Sequence, residues 1–68
     1  MNFNLFQADM GSFECTEIDN NKYTFMGLSS DVAKLPKGEN IATGSVAVCL
    51  DTGDNYIYHR PTQQWMLQ

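Results

Sequence analysis

From Ser12 to Ile18 the chain reads Ser-Phe-Glu-Cys-Thr-Glu-Ile, so Phe13 and Cys15 alternate with Glu14 and Thr16. A two-residue period sends successive side chains to opposite faces and predicts a half-buried strand. Asp19-Asn20-Asn21-Lys22 follows. Asp and Asn tolerate left-handed backbone and bond their own main chain, which predicts a turn. Tyr23-Thr24-Phe25-Met26-Gly27-Leu28 is rich in aromatic and β-branched residues and completes a hairpin. The pattern returns at Ser45-Val46-Ala47-Val48-Cys49-Leu50, a strand-like run without charge. Asp51-Thr52-Gly53-Asp54 reads as a turn, Asn55 to His59 as a strand, Arg60 to Gln63 as a second turn, and Gln64 to Gln68 as a last short strand. Pro61 stands where no ladder donor is needed. With Thr52-Gly53 as a two-residue loop, Asp51 faces Asp54, Cys49 faces Tyr56 and Val48 faces Ile57. A bulge at Gly53 would shift that register.

Between the hairpins the pattern dissolves. The sixteen residues from Ser29 to Gly44 carry no sustained period. Ser30 is expected to cap one short helical turn, with Asp31 favourable at its start. Pro36 should stop that turn, because it disfavours helical geometry in the residue before it. So long a connection in so small a chain has two readings. It is either an arm that docks on a larger surface or an Ω-like loop folded back on its own sheet. Lys34, Leu35, Lys37 and Ile41 are the contact candidates in it. Residues 1–11 are expected to form a further strand or an arm that adds to a neighbour's sheet edge. Phe3, Leu5, Phe6 and Met10 are too many apolar residues to leave in water. The expected architecture is all-β: four to six short antiparallel strands over residues 12–68, as two hairpins joined by the long loop.

Length and charge narrow the chemistry. Sixty-eight residues make one domain. So short a chain buries only about 60% of the surface its unfolded form exposes, which argues against a deep, walled catalytic cavity. Four basic residues against eight acidic ones exclude a nucleic-acid binder working by phosphate neutralisation. No run approaches the roughly twenty apolar residues of a membrane span. The first seven residues carry no basic residue and no apolar core of a secretory signal. Charged residues make up 18%, below the roughly 25% usual in soluble domains, and amides and hydroxyls fill the polar positions. That hints at a surface to be covered by neighbours.

Neither a metal nor a cofactor is expected. Cys15 and Cys49 read as small buried thiols, bridged only if their strands are neighbours, and His59 is the single histidine. His59 with Arg60 lacks an accompanying nucleophile signature and reads as a strand end. Asp51, Asp54 and Asn55 offer oxygen ligands, but without the spacing of a helix–loop–helix calcium site, and read as a solvated turn.

The aromatic residues carry the remaining signal. Tyr56 and Tyr58 share one face of a strand, and Trp65 on the next strand can cover the same face. These three rings, with Val46 and Val48, are the expected core. The other reading is a ring platform for sugars. The run Gly44-Ser45-Val46-Ala47-Val48-Cys49-Leu50-Asp51-Thr52-Gly53-Asp54-Asn55-Tyr56-Ile57-Tyr58, followed by Trp65, resembles a recurrent β-module of tailed-bacteriophage structural proteins. Such modules occur in capsid decoration and head-fibre proteins and in tail fibres. The resemblance implies a virion location and no enzymatic activity. It also implies many copies docked on the major capsid protein or other virion proteins, as a homo-oligomer such as a trimer or as a lattice. The alternative it implies is a receptor- or glycan-binding module of a tail fibre or baseplate.

Overall fold

The computed structural model describes residues 10–68. The described residues form a mixed five-stranded sheet in which chain order is also spatial order. The strands are β1 (Glu14–Asp19), β2 (Lys22–Gly27), β3 (Val46–Cys49), β4 (Asn55–His59) and β5 (Gln64–Leu67). The expected all-β class, strand positions and two hairpins are all present. One pairing departs from the antiparallel expectation: β2 and β3 run parallel, with Phe25 opposite Ala47 and Gly27 opposite Cys49. A parallel pair cannot be closed by a tight turn and needs a crossover. The long connection is that crossover.

Local chemistry sets each turn. Asn20 and Asn21 have φ of 52° and 69°, so both central residues of the β1–β2 turn are left-handed. That is the primed geometry whose twist suits a hairpin, and asparagine tolerates it. Glu14 to Asp19 pairs with β2 through a bulge between Cys15 and Glu17. At the β3–β4 turn the two-residue loop gives way to a longer one. The Cys49 N–H donates to the Asp54 carbonyl at 2.8 Å and the Gly53 N–H to the Cys49 carbonyl at 2.7 Å, with Gly53 at φ 80°. Tyr56 therefore faces Ala47, Ile57 faces Val46 and Asn55 faces Val48. The expected register is displaced by two residues, an even slip that keeps Val46 and Val48 on the face of Ile57, and Ala47 and Cys49 on the face of Tyr56 and Tyr58.

The crossover lies back on one face of the sheet. It begins with a 3₁₀ helix over Ser29–Lys34 and turns extended at Leu35, just before Pro36. Leu28, not Ser30, occupies the cap position, and no side chain caps the helix. The Ser29 N–H and hydroxyl instead both donate to the Asp51 carboxylate, at 3.0 and 2.7 Å. Leu35 and Ile41 drop into the core at 4% and 1% exposure. They pack with Phe13, Tyr23, Phe25, Ala47, Cys49 and Tyr58. The Trp65 and Tyr58 rings lie 4.9 Å apart, and Trp65 meets Phe25 edge-on at 5.9 Å. Gly27 passes so close to Phe13 that an added Cβ would sit 2.7 Å from its ring.

Aromatic side chains also fix the crossover by hydrogen bonds. The Gly38 N–H donates to the Tyr58 hydroxyl at 2.9 Å, and that hydroxyl donates to the Gly38 carbonyl at 3.2 Å. The Trp65 indole donates to the Pro36 carbonyl at 2.9 Å. Farther along, Ser45 is fully buried. Its hydroxyl accepts from the Tyr23 N–H at 3.0 Å and donates to the Ala42 carbonyl at 2.9 Å, tying the crossover to β2.

Two predictions follow from these ties. Tyr58→Phe keeps the ring but strips Gly38 of both partners, and should cost about 1–2 kcal/mol. A lowered urea midpoint with unchanged slope checks it. The second concerns acid. The Ser12 N–H bond at 2.9 Å holds the Asp31 carboxyl below the ordinary aspartate value of 3.8, helped by Lys34, and Ser29 does the same for Asp51. Since the folded-state values are the lower ones, this stabilisation is complete above that ordinary value. It fades as pH falls through the lowered values. Urea midpoints measured down the acid limb should fall less steeply in an Asp31→Asn/Asp51→Asn chain than in the parent.

Candidate functional site

Alternation along each strand gives the sheet a second face. Tyr23, Phe25, Ala47, Cys49 and Tyr58 point under the crossover and are buried. By the same register Met26, Val46, Val48, Ile57 and Met66 point the other way. Among the described residues no element packs across them. Val46, Val48 and Ile57 are half-buried, while Met26 and Met66 are 38% and 46% exposed. The result is a band of aliphatic and thioether side chains crossing β2 to β5 without a charge inside it.

The flanks of the band differ. On the β1 side Glu14 stands opposite Met26, Glu17 opposite Thr24 and Asp19 opposite Lys22. On the β4–β5 side the neighbours are uncharged amides and His59. Beside Ile57 and Met66 lies a shallow groove of about 390 Å³, which Thr43, His59 and Gln68 also line. The His59 Nδ1 shares a hydrogen with the Thr62 hydroxyl at 2.9 Å, which fixes the ring at the strand end. A partner suited to this face is itself apolar, with basic groups where it meets β1.

The residues singled out in the sequence distribute as follows. Leu35 and Ile41, expected at a partner contact, are core residues that hold the crossover down, so they are not free to make one. Lys34 and Lys37 are exposed, and Lys34 lies 3.5 Å from Asp31 within its own helix. Phe3, Leu5 and Phe6 lie outside the described residues. Tyr58 is buried, with Tyr56 and Trp65 half-buried beside the cluster. Val46 and Val48, expected in the core, lie on the open face. The interior places fall instead to the smaller Ala47 and Cys49, because the bulky rings of β2 and β4 already fill that side.

The remaining polar groups are structural. Asp51 is engaged with Ser29 rather than with Asp54 and Asn55 as an oxygen cluster. No group of three or more metal-ligating side chains occurs among the described residues. Cys15 and Cys49 are both free thiols. They sit on β1 and β3 with β2 between, about 10 Å apart at the usual strand spacing and beyond the reach of a disulfide. Burial, with Asp51 and Asp54 nearby, pushes the Cys49 thiol up, the opposite of what a nucleophile requires.

The open face was recoverable in part from Asn55-Tyr56-Ile57-Tyr58-His59, whose period sets Ile57 apart from both tyrosines. Met26 and Met66 gave no such sign. Compared with known protein families, with characterised proteins and with solved structures, the chain matches none.

Since Met26 lies exposed on the face away from the core cluster, Met26→Lys should leave stability within about 0.5 kcal/mol of the parent, read from the urea midpoint. The new ammonium faces Glu14 across the β1–β2 pair.

Proposed function

We propose that this chain is a non-enzymatic docking protein of a bacteriophage particle, held in many copies on the particle surface through the open face of its sheet. The observation that carries the reading is the band of Met26, Val46, Val48, Ile57 and Met66, which no other element among the described residues covers. A mostly antiparallel sheet can leave one face to water, but that face then ordinarily carries polar residues at the alternate positions, where this one carries Met26, Val46, Val48, Ile57 and Met66. Here the chain spends its one long connection on a single face, and a second protein can supply the other cover. The virion setting comes from the resemblance of Gly44–Tyr58 and Trp65 to phage β-modules. A glycan platform has less support, because the Trp65 indole and Tyr58 hydroxyl that would present it are committed to the crossover.

A face this small gives low affinity per contact, and repetition on a symmetric lattice compensates by raising effective concentration. Mass spectrometry of purified particles should find the chain at copy numbers comparable to a major capsid or tail-tube protein. Free chain added to particles lacking it should bind, and Met26→Lys should weaken that binding at least about tenfold, the equivalent of 1.4 kcal/mol. Absence from particles, with the chain free in infected-cell lysate, would overturn the reading.

A further inference from the structure

Among the described residues β1 and β5 are the two outer strands of the sheet, and they differ in what they offer a second chain. β1 carries Glu14, Glu17 and Asp19 and is interrupted by the bulge between Cys15 and Glu17. Charge and bulge are the usual devices that keep an edge from pairing. β5 has neither: Gln64-Trp65-Met66-Leu67 is regular, uncharged and free of proline. Met66 and Leu67 are 46% and 58% exposed.

The hydrogen-bond phase of β5 follows from its partner. The Gln68 N–H donates to the Asn55 carbonyl at 2.9 Å, in register with the Ile57–Met66 and His59–Gln64 pairs. In an antiparallel ladder bonded and non-bonded pairs alternate. Gln64, Met66 and Gln68 therefore turn their backbone groups toward β4, and Trp65 and Leu67 turn theirs outward. The outward groups are one donor and one acceptor on each of two residues spaced by two, a set that is its own complement.

We propose that β5 pairs with β5 of a second copy of this chain across a two-fold axis at Met66, joining two sheets into one of ten strands. In that register Trp65 of each copy faces Leu67 of the other, and Met66 faces its symmetry mate. Four N–H···O=C bonds form, two in each Trp65–Leu67 pair. Shifting the register by two residues either way loses half of them or recruits Gln63, whose φ of 53° has already left the strand. Charge favours this edge over its opposite. The chain has a net charge of −4, yet β5 brings no acidic side chain to its mate, whereas β1 against β1 would set three against three. The same two-fold axis places the Met66 side chains of both copies together on the open face. The two apolar bands become one, about twice as long.

So narrow a contact is below the standard interface size, so the dimer is weak, with half-association on the order of 10–100 µM. The test is sedimentation of the purified chain over a concentration series, without particles, so its outcome is separate from that of the docking reading. Dimer is expected, with amide exchange at Trp65 and Leu67 slowing at least about tenfold at high concentration while β1 amides stay unchanged. Leu67→Pro removes an outward donor without touching the β4 ladder, and should give a folded monomer. Met66→Lys and Met66→Glu should each be monomeric, and their equimolar mixture should restore the dimer, since each variant's charge meets its opposite only at the axis. A chain monomeric to millimolar concentration would overturn the proposal. So would a dimer that survives in folded Leu67→Pro, a dimer lost in Met26→Lys alone, or open-ended filaments, the signature of β5 pairing with β1.

Discussion

The fold depends on a crossover that has no regular structure of its own being held against the sheet. Residues 35–43 have neither a strand ladder nor a helix to satisfy their backbone, and a buried main-chain group without a partner is costly. Tyr58 meets that need at the middle of the segment: its hydroxyl accepts a hydrogen bond from the Gly38 N–H and donates one to the Gly38 carbonyl. The Trp65 indole donates to the Pro36 carbonyl, and the Ser45 hydroxyl donates to the Ala42 carbonyl and accepts from the Tyr23 N–H. The groups that anchor the crossover stand on β2, β4 and β5 or at the entrance to β3. Sheet and cover are thus mutually dependent, since neither buries its apolar side without the other. For a chain of this size that dependence is what makes a core possible, with eight buried apolar residues among those described.

The strands and turns were legible because each is written locally. Phe13/Cys15 and Tyr56/Tyr58 show the period of two, and Asn20-Asn21 and Gly53 mark the turns. What was not legible is long-range. The parallel β2–β3 pair depends on where the crossover returns the chain, and no residue of Thr24–Gly27 or Val46–Cys49 encodes direction. Leu35 and Ile41 sit in a segment without period, where burial and docking leave the same mark in the sequence. Val46 and Val48 illustrate the same limit on the sheet: alternation says that Ala47 and Cys49 face away from them, but not which side is the interior. β-branched residues on the outside suggest that the outside, too, is meant to be dry.

Among the described residues one face of the sheet is covered and the other open, which makes the sheet directional. The covered side is sealed by hydrogen bonds to aromatic rings and offers a partner little beyond exposed loop residues. The open side is apolar at its centre, acidic at the β1 margin and neutral at the β5 margin. In the docking and edge pairing proposed above, a partner is read by shape and by the sign of charge at one border, and the sheet grows at the β5 edge alone.

The contrast between the two thiols has a practical meaning. Cys49 has no exposed surface, while Cys15 is half-buried on the outermost strand. A sulfhydryl reagent offered to the native molecule meets one cysteine readily. The second becomes available only when the crossover lifts and β3 is uncovered. The rate at which that second equivalent is consumed is thus a clock for the opening of the domain, present in the natural chain without any added label.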